Sequence, residues 1–200
     1  MTADKQIEVM VASTVYGFED QLSTICATLS TLEYAVINSH IGTVKVDPNK
    51  SNIENCLNAV QQCDAFIGII RPYYGTGNID ERNITFEEMK LAIELKKPYW
   101  FLVHRDVVFT RQLKKYIYYL DDNGEHQQKN VKIKKSPVFD ERTLEIYNHV
   151  LKEGNPINTR TGNWAQEFYR LDEALTYVTA QFEDQSFIEN IINQDQGRII

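Results

Sequence analysis

A chain of 200 residues is long enough for one generous α/β domain with a real core, and 42% hydrophobic and 24% charged residues suit a globular chain. A net charge of −7 argues against bulk nucleic-acid binding, which needs a basic face to displace counterions. No apolar run approaches membrane-spanning length, and residues 1–5 (MTADK) lead into a strand pattern and not a signal peptide. The expectation is a cytoplasmic protein with no membrane partner.

In chain order, residues 7–13 (IEVMVAS) read as a β-strand. Residues 18–32 read as a helix, with Leu22, Ile25, Leu29 and Leu32 at helical spacing. Residues 34–38 (YAVIN) are a second strand, 39–51 a loop rich in turn residues, and 52–63 a helix with Ile53, Leu57 and Val60 on one stripe. The almost continuously apolar 64–70 (DAFIGII) predicts a strand covered on both faces, with Asp64 bonding backbone at its start. A loop over 71–83, a helix over 84–98 and a second apolar strand at 99–103 (YWFLV) follow. Four strand–helix alternations predict a doubly wound, mostly parallel sheet of four to five strands with right-handed crossovers. The second half reads as a helical cover: helices over 107–120, 141–152 and 164–182, with a short exposed strand at 131–135 as a candidate fifth strand. Residues after Phe187 read as a frayed helix or a lead-in to a further region.

Cys26, Cys56 and Cys63 show no metal-like or redox-like spacing and suit a reducing compartment. The four histidines form no HExxH pattern or close pair, so no metal site is expected. The basic run Arg111, Lys114, Lys115, Lys129, Lys132, Lys134 and Lys135 reads as solvated surface.

Open parallel sheets bind ligands beyond the C-terminal ends of their strands. The residues expected there are Ser13 and Thr14 after the first strand, Ser39 and His40 after the second, and Arg71, Tyr73, Tyr74 and Gly75 after the third. His104 and Arg105 follow the fourth, and Thr85 and Glu88 begin the next helix. Hydroxyls, cations, flat aromatics and one carboxylate suit a nucleotide-like small molecule. No Walker or Rossmann glycine loop is present. Within ITFEEMKLAIELKKP (84–98), a step of about 100° per residue puts Glu87 on the charged arc with Lys90, Glu94 and Lys97. It turns Glu88 inward beside Ile84, Leu91 and Leu95. Thr85 and Glu88 also match a capping box, so Glu88 is open to two roles, helix cap and catalytic carboxylate.

VMVASTVYGFEDQ, CDAFIGIIRPYYG, ITFEEMKLAIELKKP and NWAQEFYRLDEALTYVTAQF, in that order, resemble a bacterial TIR-like domain family of unknown function. That family is similar in fold to TIR domains and nucleoside 2-deoxyribosyltransferases, which share an E-x-x-x-A pattern. Here it reads Glu88-Met89-Lys90-Leu91-Ala92, while Ala12-Ser13-Thr14 stands where two serines usually precede the threonine. The resemblance implies a TIR-like or flavodoxin-like α/β core over 1–105 and a helical extension over 106–200 packed on the same domain. It also implies Glu88 as a catalytic carboxylate acting on an N-glycosidic bond.

Cleaving an N-riboside builds positive charge on the sugar, which a negative group beneath it stabilises. Nicotinamide leaves neutral, so NAD is the expected substrate rather than a cofactor, in an enzyme of antiphage defence or nucleotide signalling. A deoxyribosyltransferase-like enzyme with Glu88 as nucleophile and a non-catalytic sensing or assembly module are the alternatives. A homo-oligomer or a partner protein is expected in each case. Ser13, Thr14, Arg71, Tyr73, Tyr74, Gly75 and Thr85 are the expected ligand contacts.

Overall fold

The computed structural model describes residues 6–75, 78–79, 82–128, 132–134, 136 and 138–196. Its main sheet has five strands in the order β2-β1-β3-β6-β9, all parallel. These are β1 (Glu8–Ser13), β2 (Ala35–Ile37), β3 (Ala65–Ile70), β6 (Tyr99–His104) and β9 (Ala165–Phe168). The seven helices among the described residues are α1 (Glu19–Thr31), α2 (Asn52–Gln62), α3 (Ile84–Glu94), α4 (Arg105–Lys115), α5 (Arg142–Val150), α6 (Leu171–Phe182) and α7 (Gln185–Gln196). Two short hairpins, β4 (Asn78–Ile79) with β5 (Arg82–Asn83) and β7 (Tyr118–Leu120) with β8 (His126–Gln128), and a single 3-10 turn at Ile157–Thr159 complete the described elements.

The period of two along each strand divides the core into two clusters, one on each sheet face. Val9, Val11, Ile67, Ile69 and Leu102 pack with Leu22, Ile25, Leu29, Val178, Phe182 and Ile188 from α1, α6 and α7. Met10, Ala12, Phe66, Ile70, Phe101 and Val103 pack with Val60, Met89, Ala92, Tyr147 and Val150 from α2, α3 and α5. This double cover is why the third and fourth sheet segments are apolar throughout. The Asp64 carboxylate accepts a hydrogen bond from the Glu8 N–H at 2.9 Å, pinning the starts of β1 and β3 together. Lys97, placed by its register on the charged arc, instead donates to the carbonyls of Gln61 and Cys63, both at 2.7 Å. Its ammonium therefore meets the negative end of α2.

Three predicted elements are corrected. Residues 164–182 form a strand and then a helix, and the strand is the sheet's fifth. β9 pairs with β6 in the register Phe101↔Ala165 to His104↔Phe168. Glu173 then starts α6 by accepting from the N–H groups of Tyr169 and Arg170. A helical stripe runs through the strand because Phe168 is in phase with Leu171 and Leu175, so periodicity did not separate them. The helix expected over 107–120 ends at Lys115. Tyr118–Leu120 pairs back on His126–Gln128 around Gly124, whose φ is 78°, a left-handed position that suits an Asn-Gly turn. The strand expected at 131–135 is not found: residues 132–134 carry none, and 131 and 135 lie outside the described residues.

Gly68, at the centre of β3, leaves no room for a side chain. A Cβ there would stand 2.3 Å from Phe101 Cε1, and that ring is fully buried. Gly68→Ala is expected to lower unfolding stability by about 1–3 kcal/mol, read by urea denaturation.

Candidate functional site

From β1 the chain turns outward to β2, and from β3 it turns the other way to β6 and β9. The loops leaving β1 and β3 therefore diverge, and a cleft of about 440 Å³ opens beside them at the C-terminal rim. Of the expected contacts, Ser13, Thr14, Tyr73, Gly75, Thr85 and Glu88 line this cleft. Thr14 Oγ1 donates to the Tyr73 carbonyl at 2.9 Å, so one loop holds the other. Gly75 has φ 88°, and a Cβ on it would stand 2.7 Å from Asn83 Nδ2. Glycine alone fits between β1 and the start of α3.

Arg71 and Tyr74 do not line the cleft. The Arg71 guanidinium donates to the carbonyls of Thr14 (2.8 Å), Tyr16 (3.1 Å) and Gly17 (3.4 Å) and lies 4.5 Å from the Phe18 ring. Burial lowers its pKa to about 10, which leaves it charged at neutral pH. Tyr74 is buried in the core, with the Arg142 guanidinium 4.0 Å over its ring.

The capping box is also corrected. Asn83, not Thr85, is the N-cap of α3: its side chain accepts from the Thr85 N–H at 2.7 Å, and the helix begins at Ile84. Asparagine caps at least as well as threonine, and it moves the start by two residues. Glu88 then sits a full turn inside the helix, out of reach of the cap. Its side chain is free of that duty and is turned into the cleft, with the residue only 5% exposed.

Burial pushes the Glu88 carboxyl up to about 7, against a smaller opposing effect of a hydrogen bond from the Cys56 thiol. Burial first, and then the charge of Glu88, push the thiol itself up to about 12. The glutamate is thus partly ionised at neutral pH, while the cysteine stays a neutral donor. Cys56 comes from α2, whose Asn52 and Asn55 also line the cleft. Asn55 is committed to the preceding loop, accepting from the Asp47 N–H at 2.9 Å and donating to the Asp47 carbonyl at 3.2 Å. The sequence reading missed α2 as a wall. The signal available was the spacing of Asn52, Asn55 and Cys56 along one helical face.

A larger cavity, about 760 Å³, lies between α4 and α5 and holds part of the basic run. Its charges answer one another: Arg111 and Lys115 meet Glu153 at 2.6 and 3.3 Å, and Lys114 meets Glu141. It shares no lining residue with the cleft beside the β1 and β3 loops, so it is not the stronger candidate. Among the described residues no group of three His, Cys, Asp or Glu side chains is arranged to hold a metal ion. No helix among them is long and apolar enough to cross a membrane.

The raised carboxyl has a consequence for stability. Between pH 4.5 and about 7 the folded state holds a proton on Glu88 that the unfolded state releases, so stability falls as pH rises through that window. Above it the penalty is about 3 kcal/mol. Glu88→Gln, which cannot ionise, is expected to be more stable than wild type at pH 8, with the gain shrinking to nothing near pH 4.5. Glu87→Ala should change stability by less than about 0.5 kcal/mol at either pH. Urea titrations across the range check both.

No curated protein matches this chain. A solved structure described as a Clostridium botulinum CMP N-glycosidase, BcmB, is similar over 87% of this chain and 98% of that one, at 13% identity and a TM-score of 0.46. Residues 8–153 match the model of the family described as Domain of unknown function (DUF4062), and the chain belongs to that family.

Proposed function

We propose that the cleft takes a nucleoside-containing ligand and that Glu88 carries the cleavage of its N-glycosidic bond. The observation behind this reading is a single desolvated carboxyl, not used as a helix cap, turned into a cleft at the sheet's switch point. When the C1′–N bond breaks, its electron pair leaves with the nitrogen and the sugar becomes cationic. An anion in a site of low polarity stabilises that charge far more than one in water. NAD is the favoured substrate because its pyridinium leaves as neutral nicotinamide and needs no acid. The TIR-like resemblance adds antiphage defence or nucleotide signalling as the setting and self-association as a condition of activity.

A covalent route has support in the same carboxyl. A desolvated glutamate is a better nucleophile than a hydrated one, so a ribosyl ester on Glu88, as in a deoxyribosyl transfer, is the second reading. The non-catalytic reading rests on Ala12-Ser13-Thr14, where two serines usually precede the threonine. A Glu88 closed off in a capping box would favour it, and the Asn83 cap does not produce that arrangement.

The test is turnover of NAD and of a panel of 2′-deoxynucleosides at protein concentrations that favour self-association. Glu88→Gln is expected to lose at least about a hundredfold in rate. If the carboxylate is the working form, kcat/KM rises with pH through about 7 and levels off above it. A rate that falls above pH 7 would assign Glu88 as a proton donor instead. Intact-protein mass spectrometry separates the covalent route. No turnover of either class by wild-type protein overturns the proposal.

A further inference from the structure

Tyr16 and Tyr73 line the cleft on one side and a second pocket, about 460 Å³, on the other. Their rings stand 5.3 Å apart, one from each of the two diverging loops. Beyond them the second pocket is walled by the ends of β6 and β9. The His104 ring meets Phe168 edge-on at 5.5 Å and lies 5.6 Å from Tyr169. Tyr16 is 70% exposed and Tyr169 54% exposed, so both present aromatic surface to a ligand. Burial holds His104 below its ordinary titration range, so at neutral pH it is an uncharged flat ring. Arg71 lies in this pocket's wall, held by three hydrogen bonds to carbonyls of the β1 loop, with its positive charge intact at the boundary between the two spaces.

We infer that the second pocket is a base-binding subsite continuous with the cleft, and that the ligand it serves is a dinucleotide. One ribosyl unit lies at Glu88, an anionic pyrophosphate crosses at Tyr16 and Tyr73 within the field of Arg71, and the second base stacks against Tyr169 and His104, which the buried Phe168 supports from beneath. The inference rests on the reading that the cleft takes a nucleoside-containing ligand, and it adds residues that select for the second half of that ligand. Aromatic surface suits a base because every base has a flat face to stack, and a fixed positive charge suits the linker and not the base. Phe168 and Tyr169 lie outside residues 8–153, so this wall comes from a part of the chain that the family match does not reach.

The experiment measures binding and not turnover, so it does not depend on catalysis. Calorimetry on the Glu88→Gln protein compares NAD with nicotinamide mononucleotide, which fills the cleft alone. NAD is expected to bind about tenfold or more tightly, and the ratio of the two affinities should fall towards one when Tyr169→Ala is added. Tyr169 is on the surface, and circular dichroism of the double variant checks that the fold is kept. Equal affinities in Glu88→Gln, or a ratio unchanged by Tyr169→Ala, overturn the subsite and leave the glycosidic reading standing. If neither compound binds, both the subsite and the assignment of the cleft to such ligands fall.

Discussion

The Arg71 guanidinium is the interaction on which the functional end of the molecule depends. Parallel strands that diverge at a switch point leave two loops with few backbone partners. One planar cation in the β3 loop bridges to three carbonyls of the β1 loop and lies against Phe18. Hydrogen bonds from a charged donor are stronger than neutral ones, and burial strengthens them further. With the loops held, Thr14 reaches the Tyr73 carbonyl, Gly75 fits against Asn83, and Asn83 starts α3 at the residue that aims Glu88 inward. A chain of short contacts thus runs from the sheet's divergence to the orientation of one carboxyl.

Glu88 is held at some expense to folding. A protein selected only for stability would place an apolar side chain beside Met89 and Ala92. The thiol of Cys56 is a weak donor and offsets little of the desolvation, which leaves the carboxyl poised near neutrality rather than locked in one form. A lysine or arginine in the place of Cys56 would fix it as an anion and remove that balance.

Much of this was legible in the chain itself. Alternation of apolar strands with amphipathic helices is a strong signal, and 64–70 and 99–103 announced a doubly covered sheet without ambiguity. The helical register separated Glu87 from Glu88 for the same reason: a rotation of 100° per residue does not depend on the rest of the fold. The failures have a common physical origin. β9 is four residues long and lies at a sheet edge, so it needs little apolar pattern of its own, and its identity comes from pairing with β6. Arg71 is a cation at a strand end, and whether it meets a phosphate or a carbonyl is decided by a loop distant in sequence. The cap fell on Asn83 rather than Thr85 because both residue types cap well and only the entering backbone chooses between them. Cys56 shares a helical face with Asn52 and Asn55, which spacing does record, but that this face meets Glu88 is set by the packing of α2 beside α3, which no local pattern carries.

The late position of β9 in the chain bears on how the protein is made. β6 is flanked by β3 on one side only until residues 165–168 arrive, and its Phe101, Leu102 and Val103 are fully buried in the finished sheet. During synthesis that edge stands open while α4, the β7–β8 hairpin and α5 are still emerging, and an apolar strand with unpaired backbone is a template for joining another chain. The segments that intervene in sequence pair with no edge of β6, so they delay its closure rather than provide it. A nascent chain halted before β9 is therefore at greatest risk of aggregation, although most of its fold is already specified.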